Sequence, residues 1–380
     1  MSAPLAGLKV IEIARILAGP WIGQTLADLG AEVIKIESPA GDDTRQWGPP
    51  FIDRDGDRSA AYFHAANRGK TSVITDFQDD VQLAHLKDMI DGADVLVENF
   101  KVGGLAKYGL DYASTSARNP GLVYASITGF GQDGPYAGRA GYDFLIQAMS
   151  GFMDITGEPG GEPQKIGVAL ADIITGLYGV VGIQAALAER AHSGLGQQID
   201  LSLFDSMTGA LANQAMNYFA SGISPVRLGN AHPNIVPYQA FAVADGMVIV
   251  ACGNDAQFRA LCGIVGCGEL PDDTDFATNP ARVHNRAALV DVLAVALSGW
   301  RGADLLQRME QAGVPGGPIN SVAQALSDPQ FRARGMEIRP GGVPGLRTPL
   351  KFSRSTLSLD RAAPRLGDGF GSGGDAQKLD

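Results

Sequence analysis

Several familiar signatures are missing from this chain. Only three cysteines occur in 380 residues, Cys252, Cys262 and Cys267. That is too few for a disulfide framework and suits a reducing compartment. Cys262 and Cys267 have C-x4-C spacing, but no further pair of ligands completes a tetrahedral set, and His64, His85, His192, His232 and His284 are scattered; no metal site is expected. There is no basic excess. The net charge is −11, which argues against nucleic acid as the main partner and leaves room for one small polyanion in a local basic pocket. No uninterrupted apolar run of about 18 residues occurs, so no membrane span is expected. The start, "MSAPLAGLKVIEIARI", has neither the basic stretch nor the long apolar core of a signal peptide, and a cytoplasmic protein is expected. No internal repeat is visible.

What remains is a globular composition. The chain is 45% hydrophobic and 19% charged, enough apolar material for substantial cores, and its length suggests about two domains. Its 50 glycines imply many tight turns or close backbone approaches.

The first half alternates strands and helices. "LKVIEI" (8–13) reads as a buried strand, "GPWIGQTLADLG" (19–30) as a helix with Pro20 in its first turn, and "AEVIKIE" (31–37) as a second strand. Strands follow at 71–77, 94–100 and 121–131, with a helix over 80–93. This is the pattern of a doubly wound α/β sheet, in which ligands sit beyond the carboxyl ends of the strands. The relevant ends are "ARILAGP" (14–20), "ENFKVGG" (98–104) and "TGFGQDGPY" (128–136).

A long helix is expected over 172–194, packed closely through Gly176, Gly179 and Gly182. A strand and a second long helix follow over 196–222. The texture then changes: 225–327 reads as a smaller α+β domain, with a β-hairpin at 238–253 turning at Asp245-Gly246 and helices at 255–265, 285–299 and 303–313. The domain boundaries are placed at 1–224, 225–327 and a β-like return segment to the large domain, 328–368. A mobile tail is expected over 369–380.

Two standard chemistries fail on their motifs. "ARILAGPWIG" (14–23) lacks G-x-G-x-x-G, which argues against a dinucleotide site despite Glu37 closing the second strand. No G-x-S-x-G occurs, so a nucleophile elbow is missing. Two basic clusters at strand ends are candidates for phosphates: Arg68 and Lys70 in "NRGK" (67–70), and Lys101 and Lys107 in "ENFKVGGLAKYG" (98–109). Each is equally readable as solvated lysines and arginines. Asp172, in "KIGVALADIITGLYG" (165–179), has two readings. As a helix N-cap it satisfies free N–H groups. The same helix end lowers a carboxylate pKa and keeps it ionised, which also suits a nucleophile toward an activated acyl group.

The motifs then coincide. "LKVIEIARILAGPWIGQTLADLGAEVIKIE", "NRGKTSV", "DVLVENFKVGGLAKYGLDY", "SITGFGQDGPYAGRAGYDF", "GVALADIITGLYG", "GLGQQIDLSLFDS" and "VPYQAFAVADG" together resemble the family III CoA-transferases, the group that includes formyl-CoA transferase and the α-methylacyl-CoA racemases. The likeness runs over about residues 5–368. It implies a Rossmann-like large domain with a small α+β domain, in ring-shaped chains interlocked as a homodimer. It implies Asp172 as the catalytic residue, forming first an aspartyl anhydride and then an aspartyl-CoA thioester. It places the CoA site at Arg15, Leu17, Ala18, Thr75, Asn99, Phe100, Lys101 and Lys107, with Arg139 and Tyr142 beside the "GYD" motif. Acyl-CoA is then a substrate, and no permanently bound cofactor is implied.

The departures steer the chemistry. The racemases carry a histidine where this chain has Tyr142, and without that base α-proton exchange lacks half of its acid–base pair. Formyl-CoA transferases have glutamine where Leu17 stands and a longer glycine-rich loop, which argues against oxalate. "RAGYD", "VPYQAF" and "RVHNR" (282–286) resemble the succinate–hydroxymethylglutarate type, a dicarboxylate CoA-transferase. Such an acceptor needs a cation for its far carboxylate, and Arg227 and His232 in "VRLGNAHPNIVPY" (226–238) are the candidates. The usual final helix is missing from the tail.

Overall fold

The computed structural model describes residues 2–54 and 56–369. The chain divides into two compact units: one gathers the chain up to Phe152, Lys165–Ser221 and the chain from Gln330 onward, and the other holds Met153–Gln164 and Gly222–Pro329. The segment 153–164, expected in the large domain, thus clusters with the small one. The expected tail from residue 370 onward lies outside the described residues.

The first unit opens with β1 (Lys9–Ile13), α1 (Ala18–Asp28) and β2 (Glu32–Glu37). A hairpin of β3 (Phe51–Arg54) and β4 (Asp57–Ala60), then α2 (Ala61–Ala66), lead into β5 (Thr71–Ile74). Next come α3 (Asp80–Asp91), β6 (Val95–Glu98), α4 (Tyr112–Arg118), β7 (Val123–Thr128) and α5 (Asp143–Met149). The stretch closes with α6 (Leu170–Ser193), β8 (Gln198–Ser202), α7 (Leu203–Gly209) and α8 (Ala212–Ser221). Six of these strands form one sheet in the order β5-β2-β1-β6-β7-β8, and every pairing is parallel. The strand order reverses between β1 and β6, which creates the crevice where such sheets take ligands.

The sheet is buried on both faces, as a parallel sheet requires. One face packs Val10, Val33, Val97 and Ile127 against α1 and α6; the other packs Ile11, Leu96 and Tyr124 against α3. A side chain at Gly176 would put its Cβ 3.0 Å from the Ala18 carbonyl of α1, and one at Gly179 would meet Ile22 at 2.3 Å. These glycines let the two helix backbones approach. α6 is long and apolar enough, by length and composition, to cross a bilayer. Its close seat on α1 and on Leu201 of β8 makes it the central helix of this unit. The single helix expected after β8 is interrupted between α7 and α8, and Ala212, the first residue of α8, takes φ +44°.

The return segment is mostly irregular, with only the short pair Glu337–Ile338 and Gly345–Leu346 as strands. It is nevertheless tied to the open edge of the sheet. Ser72 of β5 donates its N–H to Asp368 at 3.1 Å and accepts from the Gly369 N–H at 2.8 Å. Arg45 donates to the Pro364 carbonyl and Arg361 to the Thr71 hydroxyl. A sheet edge covered in this way is closed to other strands.

The second unit contains an antiparallel sheet of β9 (Tyr238–Val243), β10 (Gly246–Ala251) and β11 (Gly316–Pro318). It also holds α9 (Asp255–Val265), α10 (Asn279–His284), α11 (Arg286–Ser298) and α12 (Gly302–Gln311). Val243 pairs with Gly246, so the hairpin turns at Ala244-Asp245, one residue earlier than expected. Its core is Phe241, Val250, Phe258, Leu261, Leu289, Leu293 and Met309.

Candidate active site

A cleft of about 300 Å³ opens at the carboxyl ends of β1, β2 and β5, lined by Ile13, Arg15, Glu37, Thr75, Phe100 and Tyr108 among others. Phe77 closes one wall, stacked on Phe100 at 6.1 Å and edge-on to Tyr108 at 5.2 Å. Of the residues expected at a CoA site, Arg15, Thr75 and Phe100 line this cleft directly. Asn99 is clamped to the first of them: its carboxamide accepts the Arg15 N–H at 2.9 Å and donates to the Arg15 carbonyl at 2.7 Å. Lys107 lies over the Tyr108 ring at 4.6 Å. Lys101 is exposed on the same loop. Arg139 is also exposed and stacks on Tyr136 at 4.6 Å, outside the cleft lining.

Arg68 and Lys70 are not phosphate ligands. Both are buried: Arg68 pairs with Asp28, and Lys70 donates to Glu12, to the Pro20 carbonyl and to Asn67 at 2.8–3.0 Å. Lys70 belongs to a buried charge network beneath the cleft. Glu12 bridges Lys70 and Lys35, and Lys35 reaches Asp42 at 2.9 Å and the Ala14 carbonyl at 2.8 Å. Glu37 takes a two-pronged bond from Arg45 at 2.7 and 2.8 Å and one from Ser72 at 2.6 Å. Burial works against every one of these charges. It wins at Lys70, whose pKa is pushed down to about 8. It loses at Lys35, where Glu12, Asp42 and Glu37 together raise the ammonium above its usual range. Asp42 is likewise held below the usual carboxylate range against its burial, by the Lys35 charge and the Thr44 N–H.

Leu17 and Ala18 are buried and lead from the cleft into α1, with Leu17 at its N-cap. The Ala18 N–H faces the carboxylate of Asp172. Asp172 is not the N-cap of α6: that position is Ala169, and Asp172 sits two residues inside the helix, in its first turn. The Ala171 N–H is capped instead by Asp143, at 2.8 Å. Nor does the helix end hold Asp172 at low pKa. Burial, with the charge of Asp143 added, pushes its carboxyl up to about 7, and the Ala18 N–H only partly offsets this. The expectation of a strongly ionised carboxylate is therefore corrected. Asp172 is a proton-sharing group near neutrality, a range in which perturbed carboxylates cluster at reactive sites.

Sequence reasoning missed Asp143, although it stands in the quoted "GYD". It also missed Tyr62 of α2, whose hydroxyl is pushed up to about 12 by burial and by Asp172, Asp143 and Asp42, and so remains a hydrogen-bond donor. Glu98, at the end of β6, is raised to about 7 by burial, against bonds from Ser126 and the Phe100 N–H. Tyr142 is the exposed N-cap of α5. In the second unit Arg227 is already paired, to the Asp154 carboxylate at 2.9 Å and its carbonyl at 2.7 Å. Burial and the Arg286 charge lower the pKa of His232 and favour the neutral ring. Among the described residues no cluster of three or more His, Cys, Asp or Glu is placed to hold a metal ion.

Comparison with known proteins gives one consistent answer. The family model for CoA-transferase family III matches residues 5–369. The succinate–glutarate CoA-transferase of Agrobacterium fabrum is 54% identical over 96% of this chain and 93% of its own. The human succinyl-CoA:glutarate CoA-transferase is 40% identical over 96% of this chain and 84% of its own. A crystal structure of a CaiB/BaiF family protein from Brucella suis is 62% identical and superposes with a TM-score of 0.88 over 97% of each chain. With the family pattern carried by nearly its full length, this chain belongs to the family III CoA-transferases.

Proposed function

We propose that this CoA-transferase moves CoA from succinyl-CoA, or a similar acyl-CoA, to a dicarboxylic acid of the glutarate class, with Asp172 as the nucleophile. The observation that carries the reading is Asp172 itself. It is a half-buried carboxylate with a pKa near 7 in the first turn of α6, facing the N–H of a segment that also lines the nucleotide-sized cleft. The substrates named for the relatives from Agrobacterium fabrum and human supply the acyl donor and the acceptor.

The steps balance without hydrolysis. An Asp172 oxygen attacks the thioester carbonyl, the C–S bond breaks, and CoA leaves as thiolate, giving a mixed anhydride. The thiolate attacks the Asp172 carbonyl carbon and releases the donor acid as carboxylate, leaving an aspartyl-CoA thioester. The acceptor carboxylate attacks that thioester and expels the thiolate again. The thiolate then attacks the acceptor's carbonyl carbon, which yields the new acyl-CoA and returns the Asp172 carboxylate. Each tetrahedral intermediate carries an oxyanion, and backbone N–H groups such as that of Ala18 are the donors suited to it.

CoA is assigned to the cleft at the strand ends. Phe77, Phe100 and Tyr108 offer an aromatic wall for its base, and Arg15, Lys101, Lys107 and Arg139 offer cations for its phosphates. Leu17, Ala18, Thr75, Asn99 and Tyr142 complete the assignment. Arg227 and His232 are proposed for the acceptor's far carboxylate; Arg227 would then exchange Asp154 for the ligand. A homodimer, interlocked as in the family, accounts for the exposed Leu177, Tyr178 and Val181 of α6 and the exposed Met216, Tyr218 and Phe219 of α8.

The test is CoA exchange from succinyl-CoA to a panel of acids, read by mass spectrometry. Asp172→Ala is expected to lose on the order of 10³-fold or more, as for other covalent nucleophiles. Full activity in that variant would sink the mechanism. Deuterium wash-in at the α-carbon without acyl exchange would favour an acyl-CoA racemase instead, the reading that Tyr142 argues against.

A further inference from the structure

Ile16 is one of two non-glycine residues among those described that adopt a left-handed backbone, with φ +72°. Such a conformation is an outlier for a β-branched residue and persists only where the surroundings impose it. The neighbours of Ile16 are held one by one. The Ala14 carbonyl accepts from Lys35 at 2.8 Å. The Arg15 N–H and carbonyl are both bonded by Asn99. The Ile16 N–H itself points at the Asp42 carboxylate, 3.3 and 3.4 Å from its two oxygens. Two residues on, the Ala18 N–H faces Asp172.

Asp42 is well placed to impose this turn. It is 2% exposed. One oxygen holds the Thr44 N–H and hydroxyl at 3.0 and 2.8 Å, and the other holds Lys35 at 2.9 Å. Its own N–H is fixed by Glu37 at 2.8 Å. With its charge neutralised by a buried ammonium, Asp42 is no free base; its contribution is geometric.

We propose that Asp42 is a positioning residue for the nucleophile: by holding the Ile16 N–H it maintains the left-handed turn that aims the Ala18 N–H at Asp172. This rests on the reading of Asp172 as the nucleophile. An N–H that faces the carboxylate can orient it for attack. After acylation it is in place to meet the developing oxyanion.

The experiment is single-turnover formation of the acyl adduct from succinyl-CoA, trapped with hydroxylamine and located by mass spectrometry. It is run on the full-length protein, on Asp42→Ala, and on Asp42→Ala combined with Ile16→Gly. Asp42→Ala is expected to slow adduct formation at Asp172 by on the order of 10- to 100-fold, the scale of an ångström-sized misplacement. Ile16→Gly in that background is expected to restore most of the rate, because glycine enters the left-handed region without the steric cost. Rates are taken per folded protein, with circular dichroism and denaturant unfolding recorded for each variant, so that a gain in core stability from glycine is kept apart from restored positioning. Equal rates in the native protein and Asp42→Ala, or a loss that Ile16→Gly leaves untouched, would overturn the proposal. If Asp42→Ala does not fold by circular dichroism, Asp42→Asn with and without Ile16→Gly reads the same rescue. No adduct at Asp172 in the native protein takes down the nucleophile and, with it, its positioning; normal adduct formation with unchanged variants takes down the positioning alone.

Discussion

The two units are stabilised by different kinds of core. The second is almost wholly apolar, with phenylalanine, leucine, methionine and three buried cysteines. Arg282 is its one buried charged or polar side chain among the described residues. The first has an equally apolar sheet but adds Glu12, Lys35, Glu37, Asp42, Arg45 and Lys70, all buried, at the strand ends that border the cleft. Buried ion pairs are a weak source of stability, since desolvation offsets most of their attraction. Their concentration at one edge of one unit therefore points to geometry. They fix the segment 14–18 that joins the cleft to Asp172.

That contrast is open to direct attack. The largest effect is expected from Lys35→Met, which leaves Glu12 and Asp42 buried without a shared cation. A loss of about 3–5 kcal/mol is expected in denaturant unfolding, as for other broken buried pairs; a loss below 1 kcal/mol would deny the network any structural weight. Arg282→Met tests the other core. Arg282 donates to the carbonyls of Val236 at 2.7 Å and Phe276 at 3.0 Å, while its ionic partner Asp255 is largely exposed. Only the two orphaned carbonyls remain after the change, so about 1–3 kcal/mol is expected, with the CoA-exchange rate of the folded enzyme retained. The smallest effect sharpens the site itself. With its pKa pushed up to about 7, Asp172 gains charge as pH rises through neutrality, so the rate of adduct formation should rise across that window and level off above it. Asp143→Asn keeps the cap on the Ala171 N–H but removes the like charge. The rise should then move to lower pH by less than one unit, and a profile that stays put would remove Asp143 from the account.

Much of the sheet was legible because buried parallel strands are short apolar runs and the helices between them keep their period. β1, β2, β5, β6 and β7 and the helix α3 fall inside the segments read as such, and α1 starts one residue before its segment. The hairpin β3–β4 was not, because "FIDRDGDRSA" (51–60) is charged and does not alternate. The short helices α2, α4 and α5 span at most two turns, too little for a periodicity to declare itself. Within the site, the strand ends that hold Arg15 and Phe100 were legible from the sheet pattern; the two residues themselves came from the family resemblance, and both line the cleft. The failures share one cause: a sequence names a charge but not its burial. Arg68 and Lys70 looked like phosphate ligands and are core ion pairs; Asp172 looked like a cap and sits inside the helix, raised in pKa by the surroundings its neighbours create.

The ties between Ser72 and residues 367–369 have a consequence for how the protein is made. The first unit begins before the second along the chain, yet the rim of its sheet is sealed by residues nearly three hundred positions after β5. The second unit is spelled out almost entirely in between and has its own core, so it can close while the first still waits. Until residue 369 emerges, β5 offers an unpaired edge, and the nascent chain is exposed to mispairing over the whole of that interval.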